Sequence, residues 1–314
     1  PVVDSISTMA GSWTHLERIQ RAIDYIERHL HDQICIDEIA AEAAYSLWHF
    51  QRVFSAMTGE TVAGYIRRRR LASALGELTT GNTPIIEIAW RHGFESQEAF
   101  TRAFKAMFGS TPGRCRREGI GAIACATRIR LTQEYLDRRY GGISMEPVIR
   151  NLGELRIVGR GAPFISILSQ EANSHQVIPG LWDDLFQHIG EIRNRVDGPS
   201  YGLCEPVPAP ERTHPEECYY LAGVPVASLG DIPEGMVGRT VPAGTYAVFT
   251  HVGRLDTLGR TMSYIYGSWL PNSGHEPAQA PDLELYDERF DPASDTSEMD
   301  ILIPIRTGGR VAAR

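Results

Sequence analysis

The sequence has no run of about 18 apolar residues, so no membrane-spanning helix and no membrane partner is expected. Its first residues, Pro1 to Gly11, lack the basic start and apolar core of a signal peptide, and a cytoplasmic location is the expectation. Its five cysteines (Cys35, Cys115, Cys125, Cys204 and Cys218) form no Cys-x-x-Cys pair. An odd, scattered set of that kind argues for reduced thiols and against a zinc site. His175, His188, His214, His251 and His275 show no metal-ligand spacing, so no metal is expected either. No Gly-x-Ser-x-Gly, phosphate-loop or paired-carboxylate pattern stands out. These absences leave no catalytic signature and no expected cofactor. Lysine is nearly missing too: Lys105 is the only one, and the remaining basic residues are arginine.

What is present divides the chain. At 314 residues it has room for two or three domains. The net charge of −8 is unevenly spread: residues 1–118 hold 14 basic and 14 acidic side chains, residues 119–314 hold 17 and 25. Within 47–118, 11 basic residues against 6 acidic leave a charge of +5. That is a small positive footprint of the kind a nucleic-acid contact needs.

The footprint begins at Tyr45-Ser46-Leu47-Trp48-His49-Phe50-Gln51-Arg52. At helical period Phe50, Val53, Phe54 and Met57 form one apolar stripe, while Trp48, Gln51, Arg52 and Ser55 lie on other sides. Ile36 to Ala43 reads as a shorter helix before it, joined by a tight turn. Helix, turn and a donor-rich second helix make a DNA-reading arrangement. The pattern then returns. Ile85-Ile86-Glu87-Ile88-Ala89 matches Ile36-Asp37-Glu38-Ile39-Ala40, and Phe100, Ala103, Phe104 and Met107 repeat the stripe. Gly109 repeats Gly59, and Thr111-Pro112 repeats Thr61-Val62. A repeat of this kind implies two helix-turn-helix units joined by one helix, Val62 to Thr79. About 18 residues of helix span roughly 27 Å, which would let both units enter successive major grooves, about 34 Å apart, on bent DNA. The run Arg67-Arg68-Arg69-Arg70 on the joining helix reads equally as phosphate contacts or as a solvated face with internal ion pairs.

Over Leu16 to Arg117 these residues resemble the AraC/XylS family of transcription regulators, of the Rob type. The signature region is carried by Arg70-Leu71, Ile85 to Ala89, Gly93-Phe94, Phe100, Phe104, Phe108-Gly109 and Thr111-Pro112. In that branch a Ser-x-Trp-His-Leu-Gln-Arg run opens the recognition helix. The resemblance implies double-stranded DNA as partner, RNA polymerase as a second partner, and base or backbone contacts from Trp48, Gln51 and Arg52. It places Gln97, Thr101 and Arg102 on the second reading helix. Arginine suits guanine, glutamine adenine, and an aromatic the thymine methyl. The chain departs from the branch at Glu98 and Ala99, so the first unit is expected to dominate specificity.

Residues 12–118 are therefore expected to form the all-α DNA-binding domain, 119–144 a linker with a helix over 122–139, and 145–307 a second domain. There the texture turns to β, with strands at 148–149 and 155–158, a helix at 178–196, and strands at 201–204 and 218–224. A second round follows: a hairpin of Val241 and 244–252 about Pro242-Ala243, a helix at 255–270, and strands at 283–286 and 299–305. Two such rounds predict a pseudo-two-fold α+β fold. Glu154 to Gly159, Leu181-Trp182, Pro242 to Tyr246, Trp269-Leu270-Pro271, Pro281 to Tyr286 and Leu302 to Ile305 resemble the GyrI-like effector-binding domain. The resemblance implies a groove for a hydrophobic, often cationic, small-molecule effector, centred on Glu284. Strand alternation puts Tyr286 on the face of Glu284, and Trp182, Trp269 and Tyr246 are candidate walls. The alternatives are a small-molecule hydrolase using Glu284 with Tyr286, or a domain that serves only protein interaction.

Overall fold

The computed structural model describes residues 13–118, 127–169, 171–208 and 210–307. The chain forms two compact units, Pro1–Tyr135 and Leu136–Arg314.

The first unit is helical: α1 (His15–Arg28), α2 (Ile36–Glu42), α3 (Leu47–Thr58), α4 (Val62–Thr80), α5 (Ile85–Arg91), α6 (Gln97–Phe108) and α7 (Pro112–Glu118). Local chemistry fixes the ends. Thr14 and Glu17 close a capping box on α1. Ser46 and Ser96 each accept a backbone N–H three residues on, starting α3 and α6 at equivalent places. Gly59 and Gly109 end them with φ of 86° and 70°, the left-handed conformation that glycine adopts without strain. Phe50, Val53, Phe54 and Met57 are all fully buried, as their spacing requires. In the second helix-turn-helix Phe100 and Phe104 join Leu71, Leu75, Leu78, Ile88 and Ala89 in one core. The repeat read from the sequence is thus two helix-turn-helix units on α2–α3 and α5–α6, joined by α4.

Beyond α7, residues 127–132 are not helical, and α8 runs only from Gln133 to Tyr140. The helix expected over 122–139 is shorter because Thr132 caps it: its Oγ1 accepts the Tyr135 N–H at 3.1 Å. The start of that expected helix lies outside the described residues.

The second unit is one antiparallel sheet of β1 (Val148–Leu152), β2 (Leu155–Ile165), β3 (Ser200–Pro206), β4 (Glu217–Pro225), β5 (Val237–Val241), β6 (Gly244–Val252), β7 (His275–Pro277), β8 (Asp282–Tyr286) and β9 (Glu298–Thr307). Its order is β1-β6-β9-β8-β3-β4-β2-β5, with β7 added to β9. Two connections give the sheet its shape. β1 leads into β2, and β5 into β6, each through two residues, yet both connections join opposite ends of the strand order. The sheet must curl until its two ends nearly meet. The hairpin expected about Pro242-Ala243 is therefore not one: β5 pairs with β2, and β6 with β1 and β9. Likewise β1 and β2, read as flanking one turn, pair with β6 and with β4 and β5 instead.

Register sorts the side chains into two faces. Val248, Leu302, Leu283, Leu203 and Leu221 lie opposite one another across five strands and form the core of one face. The row beside it on the other face is Phe249, Ile301, Glu284, Gly202 and Ala222. On that second face pack α9 (Ser174–His188) and a broken helix: α10 (Leu258–Tyr264), a π-turn (Ile265–Trp269) and α11 (Leu270–Asn272). Helix α9 starts earlier than expected and stops at His188, and the expected 255–270 helix is divided in this way. The α+β architecture with a helix in each half agrees with the pseudo-two-fold expectation.

Candidate DNA-reading helices and ligand-binding site

The first reading helix, α3, holds its donors close. Trp48 and Arg52 are only 7% and 6% exposed, and the Arg52 guanidinium lies 3.4 Å above the centre of the Trp48 ring. One turn apart on a helix, the two side chains meet face to face, a favourable contact for a delocalised cation. Gln51 is half-buried beside them. The sequence pointed to two donors and an aromatic facing the groove; the structure stacks the arginine on the aromatic.

The second reading helix, α6, is open. Gln97, Glu98, Arg102 and Lys105 are exposed and Thr101 is half-buried. None of these five side chains has a hydrogen bond or ion pair among the described residues. The arginine run on α4 is, by contrast, largely internal. Arg68 grips Glu60 through Nε and Nη2, Arg69 grips both oxygens of Glu27, and Arg70 donates to the carbonyls of Leu30 and Asp32. Tyr65 adds a 2.8 Å hydrogen bond to Glu27, and burial followed by that bond raises its pKa. Two of the four arginines, Arg68 and Arg69, thus form internal ion pairs, and Arg70 is tied to backbone carbonyls.

In the second unit Glu284 sits mid-row on the helix-covered face. The Tyr220 and Tyr286 hydroxyls donate to its Oε2 at 2.5 and 2.8 Å. The Trp182 Nε1–H donates to the Tyr220 hydroxyl at 3.4 Å, and its ring meets Tyr286 edge-on at 5.0 Å. Phe164 packs on Tyr220, Phe290 on Tyr286, and Phe186 stacks on Trp182. Burial, and then the Glu284 charge, push the pKa of both tyrosines well above 10, so both remain hydroxyl donors. Gly202 makes the convergence possible, because a Cβ there would collide with the Tyr220 hydroxyl and Glu284 Oε2. On the α10 side Tyr266 donates to buried Asp282 at 2.7 Å, closing the row two residues before Glu284. A cleft of about 660 Å³ opens at the end of β8 and is lined in part by Tyr286, Arg289 and Asp300. No helix among the described residues is long and apolar enough to cross a membrane.

Residues 145–306 match the GyrI-like small molecule binding domain, and residues 39–118 match a helix-turn-helix domain. The chain belongs to the GyrI-like family. Its helix-turn-helix domain is of the AraC type, and the domain order is that of the Rob regulators. The Transcriptional regulator Rob of Salmonella typhimurium is 28% identical over 298 residues, covering 92% of this chain and 98% of the relative. The Right origin-binding protein of Escherichia coli is 28% identical over 302 residues, with the same coverage of 92% and 98%. The Regulatory protein SoxS of Salmonella typhimurium is 40% identical over 103 residues, 33% of this chain and 96% of that protein. The functional class is accordingly a DNA-binding transcription regulator with a small-molecule-binding domain.

Within this GyrI-like domain the expected wall residues part company. Trp182 and Tyr286 stand at Glu284. Tyr246 is fully buried on the opposite face, in the core with Leu283 and Leu302, where burial and then Asp282 push its pKa up to about 12. It cannot line the groove, since successive strand residues point to opposite sides. Trp269 packs edge-on against Phe249 at 4.9 Å and near-parallel to His275 at 6.0 Å, and it lines a different cleft. Tyr220 was not singled out from sequence. Its strand, β4, is separated from β8 by β3, and nothing local to Tyr219-Tyr220 reveals that neighbour.

Proposed function

We propose that this regulator reads double-stranded DNA through α3 and α6 and is controlled by a hydrophobic cation held at Glu284. The observation that carries the ligand reading is the meeting of two phenol hydroxyls on one oxygen of a carboxylate walled by Trp182 and Tyr286. A cation there gains an ion pair and aromatic faces in a partly dehydrated setting, where both attractions strengthen. The same geometry disfavours hydrolysis. A carboxylate oxygen already engaged by two donors is a weak base, and neither neighbouring phenol ionises near neutral pH. The domain therefore acts as a sensor and not as an enzyme. RNA polymerase is the protein partner and the cytoplasm the location that this reading implies.

For the DNA contact, the free side chains Gln97, Thr101 and Arg102 on α6 support direct base readout. Trp48, Gln51 and Arg52 contribute once the Arg52–Trp48 stack opens toward the groove. Calorimetric titration of the full chain with tetraphenylphosphonium tests the sensor. Glu284→Gln is expected to weaken binding at least tenfold, and unchanged affinity would sink the assignment. Selection of binding sites from random duplexes tests the reader, with enrichment of a two-part site one helical turn apart as the expected result. Recovery of no preferred sequence would count against it.

A further inference from the structure

The second unit has another cleft, remote from Glu284. It encloses about 440 Å³ and is lined by Glu146, Ile149, Tyr264, Trp269 and His275 among others. That volume lies within the roughly 300–1,000 Å³ typical of small-molecule sites. Its floor is the edge strand β1, which β6 and β9 separate from β8. At about 4.8 Å per strand step, the two floors are some 14 Å apart. We propose that this cleft is a second binding site, for a planar aromatic cation.

The Trp269 indole is fixed from one side by Phe249, edge-on at 84°, and lies 21° from the plane of His275. A rigid aromatic wall of this kind suits a flat ring system. It stands in the π-turn Ile265–Trp269, and single π-turns inside helices recur at functional sites. Ile149, 47% exposed on the edge strand, supplies apolar floor that water covers when the cleft is empty. The charge is set by Glu146. Its carboxylate makes no hydrogen bond or ion pair among the described residues, and no lysine or arginine lines the cleft. A cation entering meets one uncompensated negative charge and an aromatic face, while an anion meets only repulsion.

The site also touches the segment that leads into the sheet. The Met145 N–H donates to the Tyr264 hydroxyl at 3.3 Å, and Tyr140 packs edge-on against Tyr264. Gly267, in the π-turn, leaves the room that Tyr140 occupies; a Cβ there would collide with the Tyr140 ring. Residues 140–147 are thus held by the walls of the cleft, and Glu146 and Pro147 belong to the lining. A bound ring would tighten that hold.

The test uses proflavine and the full-length Glu284→Gln protein, in which the first site is silenced. Fluorescence titration is expected to show one equivalent bound. Adding Glu146→Gln, a change at an exposed position, should weaken that binding about tenfold, and adding Trp269→Ala should abolish it. Hydrogen exchange at the Met145 amide should slow on saturation with proflavine. Absence of binding to the Glu284→Gln protein, or equal affinity with and without Glu146→Gln, would overturn the proposal even if Trp269→Ala fails to fold. Neither result bears on tetraphenylphosphonium binding at Glu284, which the wild-type titration reads separately.

Discussion

Helices α3 and α6 are each twelve residues long, each capped by a serine and each closed by a left-handed glycine, yet ten residues of α3 are buried against two of α6. The phenylalanine stripe is common to both. What differs is the rest of the circumference. On α3 an arginine is laid across a tryptophan; on α6 the equivalent surface presents Gln97, Glu98, Arg102 and Lys105 without partners among the described residues. The fold holds the same stripe of each helix, and the duplicated units diverge over the remaining surface, which α3 largely buries and α6 leaves open. From sequence α3 is the expected stronger reader, because Glu98 interrupts the donors of α6; arginine substitutions in each helix measure that order.

The common stripe gives the largest expected effect. Phe54→Ala and Phe104→Ala each empty a fully buried site and should each destabilise the chain by about 3–5 kcal/mol in denaturant titrations. A much smaller loss at Phe104 would mean that the second helix-turn-helix lacks a core equivalent to that of the first. The arginines should then separate the two helices. Arg102→Ala is expected to weaken specific DNA binding by about 1–3 kcal/mol while leaving unfolding within about 0.5 kcal/mol of wild type. Arg52→Ala should cost DNA affinity as well, but also up to about 2 kcal/mol of stability, because the Trp48 face loses its cover. If Arg102→Ala binds DNA as wild type does, the open face of α6 is not a reading surface.

Much of this was legible in the chain because it is local. Serine caps, terminal glycines and the 3.6-residue stripe are decided within one or two turns, and a duplicated pattern confirms itself. Glu284 and Tyr286 fall on one face by strand alternation alone. Strand neighbours are another matter. Pro242-Ala243 looks like a hairpin turn, yet it bridges the two ends of a curled sheet. Tyr220 reaches Glu284 only because β3, with Gly202, lies between their strands. Tyr246 was misplaced for the same reason: its face depends on a register that the sequence does not carry.

The turns offer a finer contrast. Ala44 has φ of 55° where the second helix-turn-helix has Gly93 at 74°. Left-handed backbone costs a residue with a side chain about 1–2 kcal/mol, and the added freedom of an unfolded glycine offsets roughly 0.5–1 of that. Ala44→Gly should therefore stabilise the chain by only about 0.5 kcal/mol. Gly93→Ala should destabilise by about 1–3 kcal/mol, since its Cβ would press on the Arg70 guanidinium, which is tied to the Leu30 and Asp32 carbonyls. Equal and opposite effects at the two turns would show that only the backbone matters and that Arg70 yields freely.

Where the first helix-turn-helix has fully buried Ala43 after α2, the second has His92 after α5, 1% exposed. Its Nε2 lies 3.2 Å from Glu77 and its ring 4.8 Å from His31. Burial lowers its pKa, the Glu77 hydrogen bond opposes that, and the neighbouring His31 and Arg91 charges reinforce it. The sign follows from proton counting. Below the ordinary imidazole value of about 6.5 the unfolded chain binds a proton that the folded chain refuses, so stability is complete above that value and falls as pH drops through the depressed one. His92→Gln, which keeps a hydrogen-bonding group beside Glu77 but cannot titrate, should lose less melting temperature than wild type between about pH 7.5 and about pH 5. Because the group is single and partly compensated by Glu77, this is the smallest of the four effects. An identical acid limb in both proteins would mean that His92 is protonated in the folded chain, with Glu77 outweighing burial, and that the second helix-turn-helix gains no acid sensitivity from replacing alanine at this turn.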